Sequence, residues 1–226
     1  MSYSLNTTIL NPLSNEKPKN AVILCHGYGG DGKDISLLAS YWRTYLPETI
    51  FVCPDAPERC AVSPTGYQWF DLMDQTKEQI LIKSLVAEIK LNTLIDEVME
   101  KNSLDGDKII IGGFSQGCMI SLQTGLKRKN KINSIVGYSG KIIDTNHLRQ
   151  NINSRPNVIL MHGDKDEIVS VNFLLEAKEF FKQNNYKIES KIFKNCEHRI
   201  PTEGSSLGLE FIKKKFILTH QINLLL

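Results

Sequence analysis

The feature that most constrains the fold is a serine placed between a buried strand and a helix. Residues 108–122 read KIIIGGFSQGCMISL: three isoleucines, the segment GFSQG, and an apolar stretch of helical character. A strand that turns into a helix through G-x-S-x-G is typical of a nucleophile elbow. Gly113 and Gly117 lack the Cβ atoms that would crowd so tight a turn. We therefore predict that Ser115 is an exposed nucleophile.

Apolar runs alternate with helical patterns along the rest of the chain. Strands are predicted near 4–10 and at 21–25, 49–53, 109–111, 134–138, 157–161 and 187–193, and helices at 35–45, 76–102, after Ser115, at 173–184 and from 202 to about 215. This alternation predicts an α/β fold whose mostly parallel sheet has helices on both faces, a three-layer sandwich. No repeat or linker divides the 226 residues, so we predict a single domain, 1–226.

Composition argues against several classes of protein. The net charge of +2 and the absence of a concentrated basic face disfavour nucleic-acid binding. No apolar run approaches the ~20 residues of a membrane span, and no signal peptide precedes the first strand. The five cysteines form no CxxC pair, which disfavours a disulfide framework or a zinc site. We expect a cytoplasmic protein with reduced thiols and no integral membrane association.

A serine hydroxyl needs a base to take its proton, and in the order Ser…Asp…His that base follows the acid. His162 lies on the approach to the acid rather than after it. Only His198 and His220 come later, and His220 stands in the terminal segment. His198 lies between the last predicted strand and the last predicted helix, where the base of such proteins usually sits. We therefore predict that His198 is the base.

Two aspartates compete for the acid that orients the base. Asp164 and Asp166 both follow the strand at 157–161, and Glu167 is a more distant third candidate. Asp166 stands further into the loop towards His198. The residues alone leave the choice open, because either aspartate can serve while the other caps the loop.

An oxyanion needs two backbone N–H donors beside the nucleophile. One is predicted at Gln116, at the N-terminus of the helix, where the dipole is positive. The other is predicted at Tyr28, in the glycine-rich loop that follows the strand at 21–25, with His26 bracing that loop. In the long segment 58–75, Trp69 is expected either to line a substrate pocket or to anchor the core.

Seven segments in order resemble the phospholipase/carboxylesterase family, the small α/β-hydrolases that include the acyl-protein thioesterases. They are LCHGYGGDG, PDAP, WFD, GGFSQGCMISL, YSG, HGDKDEIV and EH, the first beginning at residue 24 and the last ending at 198. The resemblance implies an α/β-hydrolase fold and a cytosolic serine hydrolase that needs no metal or other cofactor. It implies Ser115 as nucleophile, Asp166 rather than Asp164 as acid, and His198 as base.

The same resemblance supports the amides of Tyr28 and Gln116 as oxyanion donors and places Trp69 near an acyl pocket. Two departures are visible: CEHRIP surrounds His198 where the family has a glycine and small residues, and Tyr28 stands where many members have leucine.

The predicted reaction is hydrolysis of carboxylic esters or thioesters through an acyl-enzyme. The expected partners are a small ester or acyl-thioester, a lipidated protein or a lysophospholipid; a homodimer is one candidate assembly. Two alternatives stay open: a non-catalytic binding module on the same fold, because fold alone does not fix function, and a serine peptidase, because it uses the same three residues.

Overall fold

The computed structural model describes residues 3–73 and 75–223. Within them the strands are β1 (Thr7–Leu10), β2 (Asn20–Cys25), β3 (Thr49–Pro54), β4 (Glu58–Arg59), β5 (Tyr67–Gln68), β6 (Ile109–Phe114), β7 (Ser134–Tyr138), β8 (Asn157–Gly163) and β9 (Glu189–Phe193). The helices are α1 (Gly32–Arg43), α2 (Lys77–Asn102), α3 (Gln116–Lys127), α4 (Thr145–Asn151), α5 (Asn172–Gln183) and α6 (Thr202–Asn223). A short 3-10 turn, Gly106–Lys108, leads into β6.

Seven of these strands form one sheet in the order β1-β3-β2-β6-β7-β8-β9. Every neighbouring pair is parallel except β1 with β3 at the edge. The sheet therefore confirms the predicted mostly parallel architecture. Because parallel strands end at the same edge, the loops after β2, β6, β8 and β9 meet on one side of the sheet.

The alternation of side chains along each strand produces two cores, one on each face of the sheet. In β6, Ile109 and Ile111 pack on the face covered by α2, α3 and α5. Ile110, between them, packs on the opposite face with α1 and α6. All three are fully buried, so each isoleucine contributes about 2 kcal/mol of hydrophobic stabilisation. This double burial explains why the central strands read as unbroken apolar runs.

Three parts of the chain differ from the sequence-based prediction. The last helix continues to Asn223 instead of ending near 215. The segment 58–75, predicted to be irregular, contains the small β4–β5 hairpin, and α4 was not predicted. Two-residue strands and a seven-residue helix are too short to produce a hydrophobic period, so these elements left no pattern to detect.

Candidate active site

Ser115 forms the turn between β6 and α3. Its backbone lies at φ 54° and ψ −117°, a strained conformation for a residue that carries a side chain. Two hydrogen bonds hold this turn: the Ser115 N–H donates to Tyr138 O over 2.8 Å, and the Met119 N–H donates to Ser115 O over 3.1 Å. The predicted exposure of Ser115 is wrong: the residue is buried, 7% exposed, because the loop that contains Gly27 lies against it. Strand, strained serine and helix still have the arrangement expected of a nucleophile elbow.

The glycines on either side of Ser115 allow the turn to sit against the end of β2. A Cβ atom on Gly117 would lie 2.1 Å from the carbonyl oxygen of Cys25, and one on Gly113 would lie 2.4 Å from the same oxygen. The Cβ on Gly113 would also lie 2.7 Å from the carbonyl carbon of Gly117. The glycines thus relieve crowding within the turn, as predicted, and also crowding against the neighbouring strand.

We expect Gly117→Ala to destabilise the protein by about 3 kcal/mol, because the new methyl group must displace backbone rather than a movable side chain. Urea unfolding followed by circular dichroism measures the change. Gly30→Ala is the matched control, since its Cβ would make only ordinary contacts, the nearest at 3.4 Å. Equal unfolding midpoints for the two variants would contradict this account of the elbow.

His198 and Asp166 are joined directly. His198 Nδ1 lies 2.7 Å from Asp166 Oδ2, and donation of the Nδ1–H leaves Nε2 as the unprotonated nitrogen of the neutral ring. The other carboxylate oxygen, Oδ1, accepts the N–H groups of Ile168 at 3.0 Å and Val169 at 2.8 Å. The Asp166 side chain is 0% exposed, whereas that of His198 is 17% exposed. The base therefore reaches the surface, and the acid behind it does not.

The charge of Asp166 is maintained by these hydrogen bonds. Burial alone would raise the pKa of its carboxyl group, but the hydrogen bonds from His198 and Val169 outweigh that effect and hold the pKa below its usual value. Asp166 is therefore an ionised carboxylate at neutral pH, and it can stabilise a positive charge on His198.

Asp164, the competing candidate for the acid, has other partners. Asp164 accepts the Cys196 N–H over 3.4 Å and donates its own N–H to Phe193 O over 3.0 Å, so it caps the loop that carries His198. His220 lies in α6, and its side chain is outside the described residues. The structure thus brings Asp166, and not Asp164, to His198.

Phe114 connects the elbow with the base. The rings of Phe114 and His198 have centroids 4.6 Å apart, and Phe114 directly precedes Ser115 in the chain. The Ser115 hydroxyl has no hydrogen-bond partner among residues 3–73 and 75–223. A free hydroxyl is compatible with a serine nucleophile, since such hydrogen bonds often form only once substrate is bound.

The loop after β2 forms a tight turn beside the elbow. Gly29 has φ +79°, and the Gly30 N–H donates to Gly27 O over 3.1 Å. Two hydrogen bonds to Tyr67 fix the turn: the Gly29 N–H donates over 2.9 Å, and Gly30 O accepts over 2.8 Å. In the part of the chain that the structure describes, the amide N–H of Tyr28 donates to no protein group, and neither does that of Gln116 in the elbow. Both predicted oxyanion donors therefore remain available to a ligand.

The buried side chain of His26 stabilises this loop through two hydrogen bonds. Its Nδ1–H donates to Gly27 O over 2.7 Å, and its Nε2 accepts the Ala56 N–H over 2.9 Å. Burial lowers the pKa of His26 below the ordinary histidine value, which favours the neutral ring that this pattern requires. His26 therefore ties the glycine-rich loop to the end of β3.

Gln116 and Trp69 hold the segment after β5 against the elbow. The Gln116 side chain accepts the Trp69 N–H over 2.8 Å and donates to Phe70 O over 2.6 Å. The Trp69 indole donates to His26 O over 3.1 Å and has no exposed surface. Trp69 is thus a packing residue beside the site, and its place near an acyl pocket stays a prediction. Sequence reasoning used only the amide of Gln116 and missed its side chain.

A cavity of about 410 Å³ opens next to His198 and the loop at 27–30. Its walls are largely apolar, and its charged lining residues are Asp34 and Arg199; the apolar side chains are those of Ile35, Phe114 and Ile200. Gly27 also lines it, and a Cβ there would lie 3.4 Å from the Cβ of Ser115. The cavity therefore borders both the elbow and the base.

Residues 3–73 and 75–223 contain no group of three or more His, Cys, Asp or Glu side chains positioned to bind a metal ion. Among the helices described, none combines the length and the apolar character needed to cross a bilayer.

Comparison with known proteins concerns the family and the fold of this chain. The model of the phospholipase/carboxylesterase family matches residues 9–216. Acyl-protein thioesterase 1 of Saccharomyces cerevisiae is 31% identical over 213 residues, covering 87% of this chain and 92% of the yeast protein. The crystal structure of esterase PE8 superposes with a TM-score of 0.88 at 32% identity, covering 93% of this chain and 98% of PE8.

Acyl-protein thioesterase 2 of Zea mays superposes with a TM-score of 0.75 at 20% identity, covering 93% of this chain and 99% of the maize chain. At that identity the likeness concerns the fold alone. These neighbours confirm the predicted α/β-hydrolase fold.

Proposed function

Because this chain belongs to the phospholipase/carboxylesterase family and is a carboxylic ester hydrolase, we propose that it cleaves esters and thioesters through an acyl-enzyme on Ser115. The observation that carries this proposal is the 2.7 Å hydrogen bond from His198 to the buried Asp166, close to the strained turn that presents Ser115. A base oriented by a buried carboxylate beside a serine elbow is the arrangement that serine hydrolysis requires.

In the proposed reaction, Ser115 Oγ attacks the carbonyl carbon while His198 Nε2 takes the hydroxyl proton. The amides of Tyr28 and Gln116 hold the oxyanion of the tetrahedral intermediate. His198 then gives its proton to the departing alcohol or thiol, leaving the acyl group on Ser115. A water molecule, deprotonated by His198, attacks the acyl-enzyme and releases the carboxylic acid. Asp166 holds His198 in the tautomer that carries its proton on Nδ1, and it stabilises the His198 imidazolium in each half of the reaction.

The proposed substrates carry an acyl chain. The cavity walls formed by Ile35, Phe114 and Ile200 are apolar and offer a surface for methylene groups. The yeast relative is named an acyl-protein thioesterase, which makes an S-acylated protein one candidate substrate. A lysophospholipid is the other candidate, since it presents an acyl chain on an oxygen ester that the same serine could cleave.

A matched panel of p-nitrophenyl esters and acyl-thioesters, with chains of two to sixteen carbons, tests the proposed function. We expect kcat/KM to increase about fourfold per methylene over the shorter chains, because each buried CH₂ contributes about 0.8 kcal/mol. The rise should stop where the chain outgrows the cavity. The chain length of the maximum, and the ratio of thioester to ester rates, then identify the preferred substrate class.

The other outcomes of this panel are informative as well. A kcat/KM that does not depend on chain length would contradict an apolar acyl-binding surface. No hydrolysis of any member would contradict the proposed reaction and favour a binding module. Cleavage of matched amides at rates comparable to the esters would favour a peptidase.

A further inference from the structure

His162 is a buried histidine to which the reaction described above gives no role. It lies near the end of β8, four residues before Asp166, and its side chain is 1% exposed. Its Nε2 atom is 2.7 Å from Val169 O and 3.3 Å from Asp166 Oδ2. The oxygen it approaches is the same one that accepts the Nδ1–H of His198.

The partners of His162 determine where its proton lies. A carbonyl oxygen can only accept a hydrogen bond, so the contact with Val169 requires the proton on Nε2. The hydrogen bond goes to Val169 O, and Asp166 Oδ2 lies beside it, 3.3 Å from the same nitrogen. Since the Val169 N–H donates to Asp166 Oδ1 over 2.8 Å, Val169 links His162 to the carboxylate through two hydrogen bonds. His162 therefore stabilises the turn at 166–169 through its hydrogen bond to Val169 O.

We propose that His162 is a positioning residue for this hydrolysis: its Nε2–H, bonded to Val169 O and adjacent to Asp166 Oδ2, holds the carboxylate in the position where it binds His198. The inference rests on the proposed function, in which Asp166 orients His198. His162 does not touch the reacting atoms and acts only through Asp166.

The physical consequence concerns the charge of Asp166. Three N–H groups donate to this carboxylate, those of Ile168, Val169 and His198, and the Nε2–H of His162 lies close to Oδ2, with 3.3 Å between nitrogen and oxygen. Without the N–H of His162, the negative charge of the Asp166 carboxylate interacts more strongly with His198. This makes the imidazolium form of the base more stable. A more stable imidazolium releases its proton only at higher pH. Burial lowers the pKa of His162 itself, so it serves as a neutral donor.

Other ionisable groups near the base come from neighbouring elements. Asp34 of α1, His26 of the loop after β2 and Arg199 of the loop after β9 line the same cavity as His198. Glu197 directly precedes His198 in the chain and is exposed. All of these stay in place when position 162 is changed, so a change in pH dependence is attributable to the pair formed by His162 and Asp166.

The test compares His162→Leu, which removes the donor, with His162→Gln, whose side-chain amide can still donate to Asp166 and Val169. The readout is kcat/KM for one p-nitrophenyl ester from pH 5 to 9. For H162L we expect the acid side of the kcat/KM–pH profile, its acid limb, to move to higher pH by about 0.5–1 unit. The maximum value of kcat/KM, the plateau of the profile, should fall about tenfold, the scale of losing one hydrogen bond to a charged group. For H162Q we expect a limb within about 0.2 pH unit of the wild type and a plateau within about threefold, because the donor is kept.

If H162L lowers the plateau but leaves the acid limb at the wild-type pH, His162 has a merely structural role and the proposal is wrong. Labelling of Ser115 by a fluorophosphonate separates this failure from failure of the proposed function. If the wild type is labelled and H162L shows no limb shift, only the role of His162 is wrong. If the wild type is not labelled at Ser115, the proposed function itself is wrong.

A second measurement keeps the proposal testable if H162L does not fold. In ¹⁵N-histidine NMR spectra of the wild type, His162 should remain neutral with its proton on Nε2 throughout this pH range. A His162 proton on Nδ1, or a His162 that becomes charged within this range, would contradict the proposed role.

Discussion

Ser115→Ala is expected to lower kcat/KM for p-nitrophenyl esters by about 10⁵–10⁶-fold. The variant has no oxygen that can form the acyl-enzyme, and a bound water is a poor substitute in a site arranged around a serine. Residual hydrolysis should come only from the oxyanion donors and substrate binding. The protein should still fold, because the Ser115 hydroxyl makes no hydrogen bond with any described residue and its loss leaves no partner unsatisfied.

Ser121→Ala is the matched control for this change. Ser121 lies in α3, six residues after Ser115, and its hydroxyl donates to Gly117 O over 2.7 Å. Its loss should cost about 1 kcal/mol of stability and leave kcat/KM within about twofold of the wild type. Fluorophosphonate labelling should occur in Ser121→Ala and be absent in Ser115→Ala. Full esterase activity in Ser115→Ala would show that another residue is the nucleophile.

Asp166→Asn is expected to lower kcat by about 10⁴-fold, the effect of such a substitution in a serine protease whose Ser-His-Asp triad is established. Asparagine keeps the shape of the side chain but carries no charge to stabilise the His198 imidazolium. Its amide can also donate to Nδ1, which holds the ring in the tautomer whose Nε2 carries a proton and cannot act as a base. Because the Asp166 side chain is fully buried, water cannot replace the lost carboxylate.

Asp164→Asn tests whether the loss is specific to the carboxylate that contacts His198. Asp164 follows the same strand and caps the loop that carries the base, but it does not touch the imidazole. Asparagine can still accept the Cys196 N–H, so we expect kcat within about threefold of the wild type. A loss in Asp164→Asn as large as that in Asp166→Asn would contradict the assignment of the acid. Kinetics at a saturating p-nitrophenyl ester, with unfolding midpoints for both variants, measure the difference.

Much of the fold could be predicted because its central strands are buried on both faces. Ile109, Ile110 and Ile111 read as a continuous apolar run, and the positions of glycine around Ser115 indicated the turn that follows. Local pattern failed where elements were too short to show a period, as in the β4–β5 hairpin and α4. It also failed at the end of α6, where no glycine or proline after position 208 marks a stop.

The candidate site could be predicted only as far as chain order and motif allow. The order of residues indicated Ser115 and His198, and the family resemblance favoured Asp166 over Asp164. The sequence left Trp69 as either a pocket residue or a core anchor, and nothing in it indicated that the Gln116 side chain binds the segment after β5. Both outcomes depend on contacts between residues 43 to 47 positions apart, and no local pattern records such contacts.

The sequence by itself determined the layered α/β architecture, the strained serine turn and the family, because these depend on hydrophobic period, glycine placement and motif order. Residue order left Asp164 and Asp166 open and the resemblance favoured Asp166, but only the tertiary structure shows the contacts themselves: Asp166 Oδ2 bonded to His198, with His162 3.3 Å from the same oxygen. Asp164 and Asp166 differ by two positions in the chain, yet one caps a loop and the other points into the site. Which way each side chain turns is fixed by the packing of β8 against β9 and by the N–H groups of the turn at 166–169, which exist only in the folded chain.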